Sequence, residues 1–304
     1  MEAWAYVIHI ATLISNPAAP VLTQGIVRQA AKAFGVSSEL RWLAPAIAAE
    51  IAFELPVGGA KNAAERLRTE LEGRTIDIVV QRAEGRRKKL LLADMDSTII
   101  GQECVDELAS EIGKREHIAA ITKRAMEGEI AFAPALRERV ALLKGLSRPT
   151  ILAVIEKRIT LTPGALTLVR TMRAHGAYTA LVSGGFSIFA SAIAKRLGFD
   201  EYRANELLFG EDRTLTGLVA EPVLGEGAKL AVLEELRARL SLQRDETLAI
   251  GDGANDLPML NAAGLGVAFH AKPKVAAAAQ ARIDYGDLTS LLYAQGYSRD
   301  DFVM

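Results

Sequence analysis

Apolar and polar positions follow two different periods along the first eighty residues. Short apolar or alternating runs predict four strands, at Trp4–Thr12, Leu40–Leu43, Glu50–Leu55 and Thr75–Val80. Apolar residues that recur at the helical period predict two helices, at Ala18–Phe34 and Ala60–Leu71. The resulting order β-α-β-β-α-β predicts a ferredoxin-like α+β domain over residues 1–82.

From Leu90 onward, strand and helix patterns alternate. Strands are predicted at Leu90–Asp94, Tyr178–Val182, Thr247–Ile250 and Leu265–Ala268. Helices are predicted at Pro163–His175, Ser187–Leu197, Lys229–Leu240 and Asp256–Ala263. Alternation of this kind predicts an α/β domain with a doubly wound parallel sheet over residues 83–304.

One long segment interrupts this alternation with helical patterns alone. These patterns lie at Val105–Ile112, Ile118–Glu127, Phe132–Leu143 and Ile151–Ile155. A helical insert that directly follows the first strand of a parallel sheet lies over the carboxyl ends of the strands. We therefore expect a helical cap over about residues 103–160.

Composition excludes several partners. Of the 304 residues, 36 are Lys or Arg and 37 are Asp or Glu, so the net charge of -1 does not favour nucleic acid. The basic run Arg82–Lys89 is expected to be a solvated linker. A single cysteine, Cys104, excludes an internal disulfide and favours a reducing, cytoplasmic location. No apolar stretch approaches the length needed to span a membrane.

Two carboxylates at the end of the first strand of the sheet are the strongest sign of chemistry. Asp94 and Asp96 follow the apolar run Leu90-Leu91-Leu92-Ala93. Burying an unpaired carboxylate is costly, so such residues usually handle a cation or a proton. Asp94 can act as a nucleophile and Asp96 as a general acid and base. The alternative is a pair of capping carboxylates at a turn.

A second acidic segment follows the apolar run Leu248-Ala249-Ile250. It reads Gly251-Asp252-Gly253-Ala254-Asn255-Asp256. Asp252 can complete a site for a hard cation with Asp94, and few carboxylates with retained water suit Mg²⁺. The alternative is a glycine turn in which Asn255 or Asp256 caps the next helix.

Two further positions have the chemistry of an anion site. Ser183 and Gly184 lie at a strand end just before a helix, where a hydroxyl and backbone N–H groups can bind an anion. Lys229 begins a helix and can hold a phosphate, although a single lysine there is commonly a surface charge. Ser183 in an ordinary glycine turn would be a helix cap instead.

These segments, in this order, resemble the haloacid dehalogenase-type phosphatases. The resemblance covers residues 90–290, about two thirds of the chain. Within that family, Gln102–Glu107, Thr122–Met126 with Glu127-Gly128, Phe132 and Leu136–Val140 are similar to the acidic and cap segments of the phosphoserine phosphatases.

The resemblance implies a role for each matching residue. Asp94 would be the nucleophile and Asp96 the general acid and base. Mg²⁺ would be held by Asp94, the carbonyl of Asp96, and Asp252. Asp256 would support the water shell of the metal, and Asn255 would lie near the phosphate.

The rest of the substrate would lie between the core and the cap. Ser183, Gly184 and Lys229 would bind the phosphoryl oxygens. On the cap side, Glu103 would meet the substrate ammonium, Arg139 its carboxylate, and Phe132 and Met126 would form the wall. Arg suits a planar carboxylate because it donates two parallel hydrogen bonds. Without the resemblance, Glu103 could equally be a helix cap and Arg139 a solvated side chain.

The expected function is therefore Mg²⁺-dependent hydrolysis of the small molecule phosphoserine through an aspartyl-phosphate, which is the last step of serine biosynthesis. Two alternatives keep the same chemistry: transfer of the phosphate to homoserine, or hydrolysis of another small phosphomonoester. A third is a sensor in which residues 1–80, whose pattern resembles ACT regulatory domains, bind an amino acid. The N-terminal domain could otherwise serve packing or form a homodimer.

Overall fold

The N-terminal part of the chain forms a four-stranded antiparallel sheet with two helices. The computed structural model describes residues 6–35, 40–56, 59–126, 129–225 and 227–304. The strands are β1 (Tyr6–Ser15), β2 (Arg41–Ala44), β3 (Ala48–Pro56) and β4 (Ile76–Arg82), and the helices are α1 (Gln24–Lys32) and α2 (Ala60–Glu70). The strand order β2-β3-β1-β4 confirms the predicted ferredoxin-like domain. The predicted strand start at Trp4 lies outside the described residues.

Helix α1 begins six residues later than its pattern predicts. Pro20 disfavours helical backbone at the residue before it, so the apolar residues around position 18 cannot begin the helix. Thr23 instead caps the helix, because its hydroxyl accepts a hydrogen bond from the N–H of Ile26 at 3.3 Å. The predicted bounds Ala18–Phe34 are therefore wrong at the N-terminal end.

The second part of the chain contains a six-stranded parallel sheet. Its strands are β5 (Leu90–Ala93), β6 (Tyr178–Phe186), β7 (Glu201–Asn205), β10 (Thr247–Gly251), β11 (Leu265–Phe269) and β12 (Ala281–Ile283). The order is β12-β11-β10-β5-β6-β7, and every neighbouring pair is parallel. A separate hairpin consists of β8 (Leu207–Phe209) and β9 (Leu215–Val219). The predicted doubly wound α/β sheet is confirmed.

Helices cover both faces of this sheet. They are α7 (Ala165–Ala174), α8 (Ser187–Leu197), α9 (Ala228–Arg239), α10 (Leu257–Ala262), α11 (Pro273–Ala278) and α12 (Ser290–Ala294). Along β5, Leu91 and Ala93 belong to one apolar core, while Leu90 and Leu92 belong to another on the opposite face. Alternate residues of a strand face opposite sides, so a strand covered on both sides is apolar throughout.

Four helices form the insert between β5 and β6. They are α3 (Cys104–Glu111), α4 (Arg115–Met126), α5 (Phe132–Leu142) and α6 (Arg148–Arg158). The hydroxyl of Ser147 caps α6 by accepting a hydrogen bond from Thr150 N–H at 3.2 Å. These helices lie at the carboxyl ends of the parallel strands, as the sequence predicts for a cap. Glu127-Gly128 lies outside the described residues.

The open face of the N-terminal sheet packs against the second part of the chain. Ile14, Ala48 and Val79 share one apolar core with Leu288 and Leu291. The sheet face that carries Ile14, Ala48 and Val79 is therefore covered by the second part of the chain. No helix in the described ranges is long and apolar enough to cross a membrane.

A buried carboxylate also joins the two parts of the chain through hydrogen bonds. Asp77 accepts hydrogen bonds from the backbone N–H groups of Asp284 at 2.6 Å, Tyr285 at 3.2 Å and Gly286 at 2.7 Å. Burial raises the pKa of Asp77 to about 6, against the lowering effect of these three donors.

Candidate active site

A cavity opens where the carboxyl ends of β5, β6 and β10 meet the cap. Its volume is about 150 Å³, and helices α3 and α5 of the cap close its outer side. Ligand sites of open parallel sheets lie at this edge. Ten of the residues predicted for the site line the cavity: Asp94, Asp96, Glu103, Phe132, Arg139, Ser183, Gly184, Lys229, Asp252 and Asn255.

The turn after β5 presents the first carboxylate. The N–H of Asp94 still donates to the carbonyl of Ile250 on β10 at 3.0 Å, and its Oδ1 accepts from Met95 N–H at 2.8 Å. Ser97 then adopts a φ of +55°, which is uncommon for a residue with a side chain. Asp94 and Asp96, just before this turn, both line the cavity.

Three carboxylates converge on one point beneath the cavity. Oxygen atoms of Asp94, Asp252 and Asp256 all lie within 4.8 Å of one another. The ammonium of Lys229 lies 2.5 Å from Asp94 Oδ1 and 2.6 Å from Asp256 Oδ1. Thr98 donates its hydroxyl hydrogen to Asp252 Oδ1 at 3.0 Å. Lys229 is therefore a buried ion-pair partner and not a surface charge.

The electrostatics of this cluster favour a cation. Burial raises the pKa of Asp94, and the neighbouring carboxylate of Asp256 raises it further, while Lys229 opposes both effects. Burial alone would lower the pKa of Lys229, but Asp94 and Asp256 outweigh burial and raise it, so the lysine stays charged. One lysine does not balance three carboxylates. This donor set of hard oxygen atoms fits a divalent cation such as Mg²⁺.

The carboxyl-terminal end of β6 supplies donors on the other side of Asp94. Ser183 donates to Asp96 Oδ2 at 3.1 Å and accepts from Gly185 N–H at 2.8 Å. Ser183 is not the N-cap residue of α8, and Asp256, at the N-cap position of α10, makes no side-chain capping bond to that helix. A Cβ on Gly184 would come within 3.1 Å of the Phe132 ring, so a side chain at this position would require the ring to shift.

The general acid predicted at position 96 connects the core to the cap. Asp96 Oδ1 accepts the backbone N–H of Cys104, the first residue of α3, at 2.9 Å. Its other oxygen accepts from Ser183. Asp96 is therefore held between Ser183 of the parallel-sheet domain and the first cap helix.

Opposite charges face the cavity from the cap. Glu103 is at the N-cap position of α3 but makes no capping hydrogen bond, and its carboxylate accepts from Ser97 Oγ at 2.6 Å. Burial, reinforced by Asp96, raises the pKa of Glu103 to about 7. Arg139 donates Nε–H to Ala135 O at 3.3 Å, and within the described residues its two terminal nitrogens make no hydrogen bond. Among the described residues Arg139 thus forms no ion pair on the helix surface, and it lines the cavity as a half-buried side chain.

One predicted site residue, Asp256, does not line the cavity although it belongs to the carboxylate cluster. Asp256 is behind the cavity wall, fully buried, with Oδ2 accepting from Gly253 N–H at 3.0 Å. The side chain of Met126 lies outside the described residues. Sequence reasoning missed Thr98, which orients Asp252, although it ends the first acidic motif. It also missed Val105 and Leu136, whose apolar side chains line the cavity and carry no chemical signal in the sequence.

Comparison with known proteins defines the class. The sequence profile of the haloacid dehalogenase-like hydrolases matches residues 91–261, more than half of the chain, and the chain belongs to this family of enzymes. A protein of Schizosaccharomyces pombe named probable phosphoserine phosphatase is 43% identical over 238 residues, which are 78% of this chain and 79% of that protein. The family predicted from the motifs is confirmed.

Solved structures agree with the fold and extend the comparison. A crystal structure of a HAD family hydrolase from Salmonella enterica serovar Typhi has a TM-score of 0.81 at 30% identity, covering 96% of this chain and 99% of that chain. A substrate-bound phosphoserine phosphatase complex has a TM-score of 0.63 at 42% identity, covering 68% of this chain and 97% of that chain. The first similarity therefore includes the N-terminal domain.

Proposed function

We propose that this chain hydrolyses phosphoserine to serine and phosphate through an aspartyl-phosphate at Asp94. The observation that carries the proposal is the arrangement of one cavity. Asp94, Lys229 and Ser183 lie at its inner end, and Glu103 and Arg139 lie on its cap side. The names of the similar proteins support the same substrate.

The chemistry follows from the positions of two carboxylates. Asp94 attacks the phosphorus atom and forms an oxygen–phosphorus bond, while the bond from phosphorus to the seryl oxygen breaks. Asp96 gives its proton to that oxygen, and serine leaves. Asp96 then takes a proton from water, whose oxygen attacks phosphorus and releases phosphate and the free Asp94 carboxylate. The hydrogen bonds to Ser183 and Cys104 hold Asp96 for both proton transfers.

Magnitudes show that proton transfer alone is insufficient. Enzymes accelerate monoester hydrolysis by up to roughly 10²¹-fold, and one general acid contributes about 10²–10⁴-fold. Charge stabilisation of the transferring phosphoryl group must contribute much of the rest. Bound Mg²⁺ would supply such stabilisation, held by Asp94, Asp252 and the carbonyl of Asp96, with Asp256 supporting its water shell. Lys229, Ser183, Gly184 and Asn255 would bind the phosphoryl oxygens.

Recognition of the serine portion requires one anion and one planar cation. Glu103 would bind the ammonium, and the two terminal nitrogens of Arg139 would bind the carboxylate. Phe132 contacts Gly184 and would cover the substrate from the cap. A cytoplasmic location and a homodimer through the N-terminal domain stay predictions from the sequence.

The proposal is tested by assaying Asp94→Asn with phosphoserine and Mg²⁺, with serine and phosphate both measured. We expect kcat to fall by at least about 10³-fold, because the amide is not a nucleophile. The matched control is Asp300→Asn, the same exchange at an exposed position, which should leave kcat unchanged. Retention of most activity in Asp94→Asn would show that Asp94 is not the nucleophile. Phosphohomoserine formed when homoserine is added would show transfer instead of hydrolysis.

A further inference from the structure

The side chain of Asn205 joins two segments of the candidate site. Asn205 ends β7 and is 3% exposed. Its Nδ2 donates to Gly184 O at 2.9 Å and to Leu224 O at 3.2 Å, and its Oδ1 accepts from Leu224 N–H at 2.7 Å. Both amide hydrogens and the amide oxygen are therefore used, and all three bonds go to backbone.

The bond to Gly184 controls the direction of a peptide group in the predicted phosphate-binding segment. A peptide group is planar and trans, so its C=O and N–H point in opposite directions. With the Gly184 carbonyl held towards Asn205, the N–H of Gly185 points the other way and donates to Ser183 Oγ at 2.8 Å. Two adjacent glycines have wide backbone freedom, so this peptide needs an external restraint.

The bonds to Leu224 act on the other segment. Leu224 is paired with the amide at both its N–H and its carbonyl, as a neighbouring strand would be. Three residues later, Gly227 is the N-cap residue of helix α9 with a φ of +78°, and Lys229 lies in the first turn of that helix. The amide of Asn205 therefore restrains the backbone at a point only a few residues before the helix that carries the lysine.

We propose that Asn205 is a positioning residue for phosphoryl binding. It holds the Gly184–Gly185 peptide and the backbone of Leu224 in one relative position, so that Ser183 and Lys229 converge on the same phosphoryl group. This inference rests on the proposed function for the identity of that group. A purely structural role would instead satisfy backbone groups at the end of an edge strand without affecting phosphate binding.

The test compares Asn205→Ala with the wild-type enzyme. We expect kcat/KM for phosphoserine to fall about 10- to 100-fold, as when a group that orients a binding residue is lost. The inhibition constant of inorganic phosphate should rise at least about tenfold. The inhibition constant of serine should change by less than about twofold, because Glu103 and Arg139 do not depend on this amide. Phosphate binding is also measured directly by calorimetry, with no substrate present.

A second variant and a control separate positioning from folding. Asn205→Asp is isosteric and keeps an acceptor for Leu224 N–H, but it has no donor for Gly184 O, so it should show the same loss of phosphate affinity. The control is Gln280→Ala, since Gln280 also binds backbone at several points (Leu260 O at 3.2 Å and Ala263 O at 3.0 Å) but does not line the cavity. It should keep both inhibition constants.

Several results would overturn the inference. One is an Asn205 variant with wild-type phosphate affinity. Another is an equal rise of both inhibition constants, or the same rise in Gln280→Ala. Failure of both Asn205 variants to accumulate as folded protein would assign the residue a structural role. A wild-type enzyme that binds inorganic phosphate but does not hydrolyse phosphoserine would instead contradict the proposed function and leave Asn205 to be judged by calorimetry.

Discussion

Replacing Arg139 by methionine tests how the cavity recognises its substrate. Methionine keeps much of the apolar stem of the side chain and removes the guanidinium. Within the described residues, Arg139 donates one hydrogen bond, from Nε–H to Ala135 O at 3.3 Å. Both terminal nitrogens are thus left for a ligand within the described structure. The proposed function assigns these nitrogens to the carboxylate of phosphoserine.

The magnitude follows from these two nitrogens. A hydrogen bond to a charged group contributes about 1.5–3 kcal/mol. Burial lowers the pKa of Arg139 against the effect of Glu103, and a guanidinium in a protein keeps its charge. Loss of two such bonds, partly replaced by water, costs about 3 kcal/mol. That cost corresponds to a fall in kcat/KM of about 10²-fold.

The assay uses a substrate that lacks only the carboxylate. Phosphoethanolamine keeps the ammonium and the phosphate, so Arg139→Met should change its kcat/KM by less than about threefold. The matched control is Arg137→Met on the same helix, because Arg137 binds Glu221 in an exposed ion pair outside the cavity. Equal losses of kcat/KM on phosphoserine and phosphoethanolamine would refute the carboxylate contact.

Three other predictions concern charge and domain packing. Lys229→Met should lower the free energy of unfolding without metal by about 3–5 kcal/mol, since the buried carboxylates of Asp94 and Asp256 lose their cation; urea unfolding with unchanged stability would contradict it. For Glu103, whose pKa burial and Asp96 raise to about 7, kcat/KM for phosphoserine should fall as pH drops below 7, because the protonated acid cannot attract an ammonium. That fall should be absent when Glu103→Gln acts on phosphoserine. It should also be absent when the wild-type enzyme acts on 3-phosphoglycerate, which has a hydroxyl in place of the ammonium. If both profiles matched that of the wild-type enzyme with phosphoserine, the contact between Glu103 and the ammonium would be refuted. Asp77→Asn should lower the free energy of unfolding at pH 8 by about 1–3 kcal/mol, since its amide N–H₂ would face backbone N–H groups at the domain interface. Wild-type stability of this variant in urea would show that the hydrogen bonds to Asp77 do not stabilise the interface.

The parts of the fold that sequence reasoning predicted are those with a strong local pattern. β5 and β10 are buried throughout and almost entirely apolar because both of their faces are covered, and each is followed at once by a carboxylate. Buried strands that end in acids are informative because burial of acids is costly. Asp94 could therefore be predicted as a functional residue from its own strand alone, without knowledge of the residues that surround it in the fold.

Features that depend on distant segments could not be predicted in this way. Lys229 is buried because Asp94 and Asp256 reach it from other strands, and the sequence around it resembles an ordinary helix start. β7 was not predicted because it is an edge strand with charged, partly exposed residues. No hydrophobic pattern therefore pointed to Asn205 at its end. Glu103 and Arg139 were found through the family resemblance and not through periodicity.

The most direct test of the account is to look for a phosphoryl group on Asp94. The wild-type enzyme is mixed with phosphoserine and Mg²⁺, quenched in acid within milliseconds, digested, and examined by mass spectrometry. The account predicts one acid-stable, base-labile phosphopeptide that contains residues 90–99 and is absent from Asp94→Asn. Turnover of phosphoserine with no such peptide, or with the label on another residue, would contradict it.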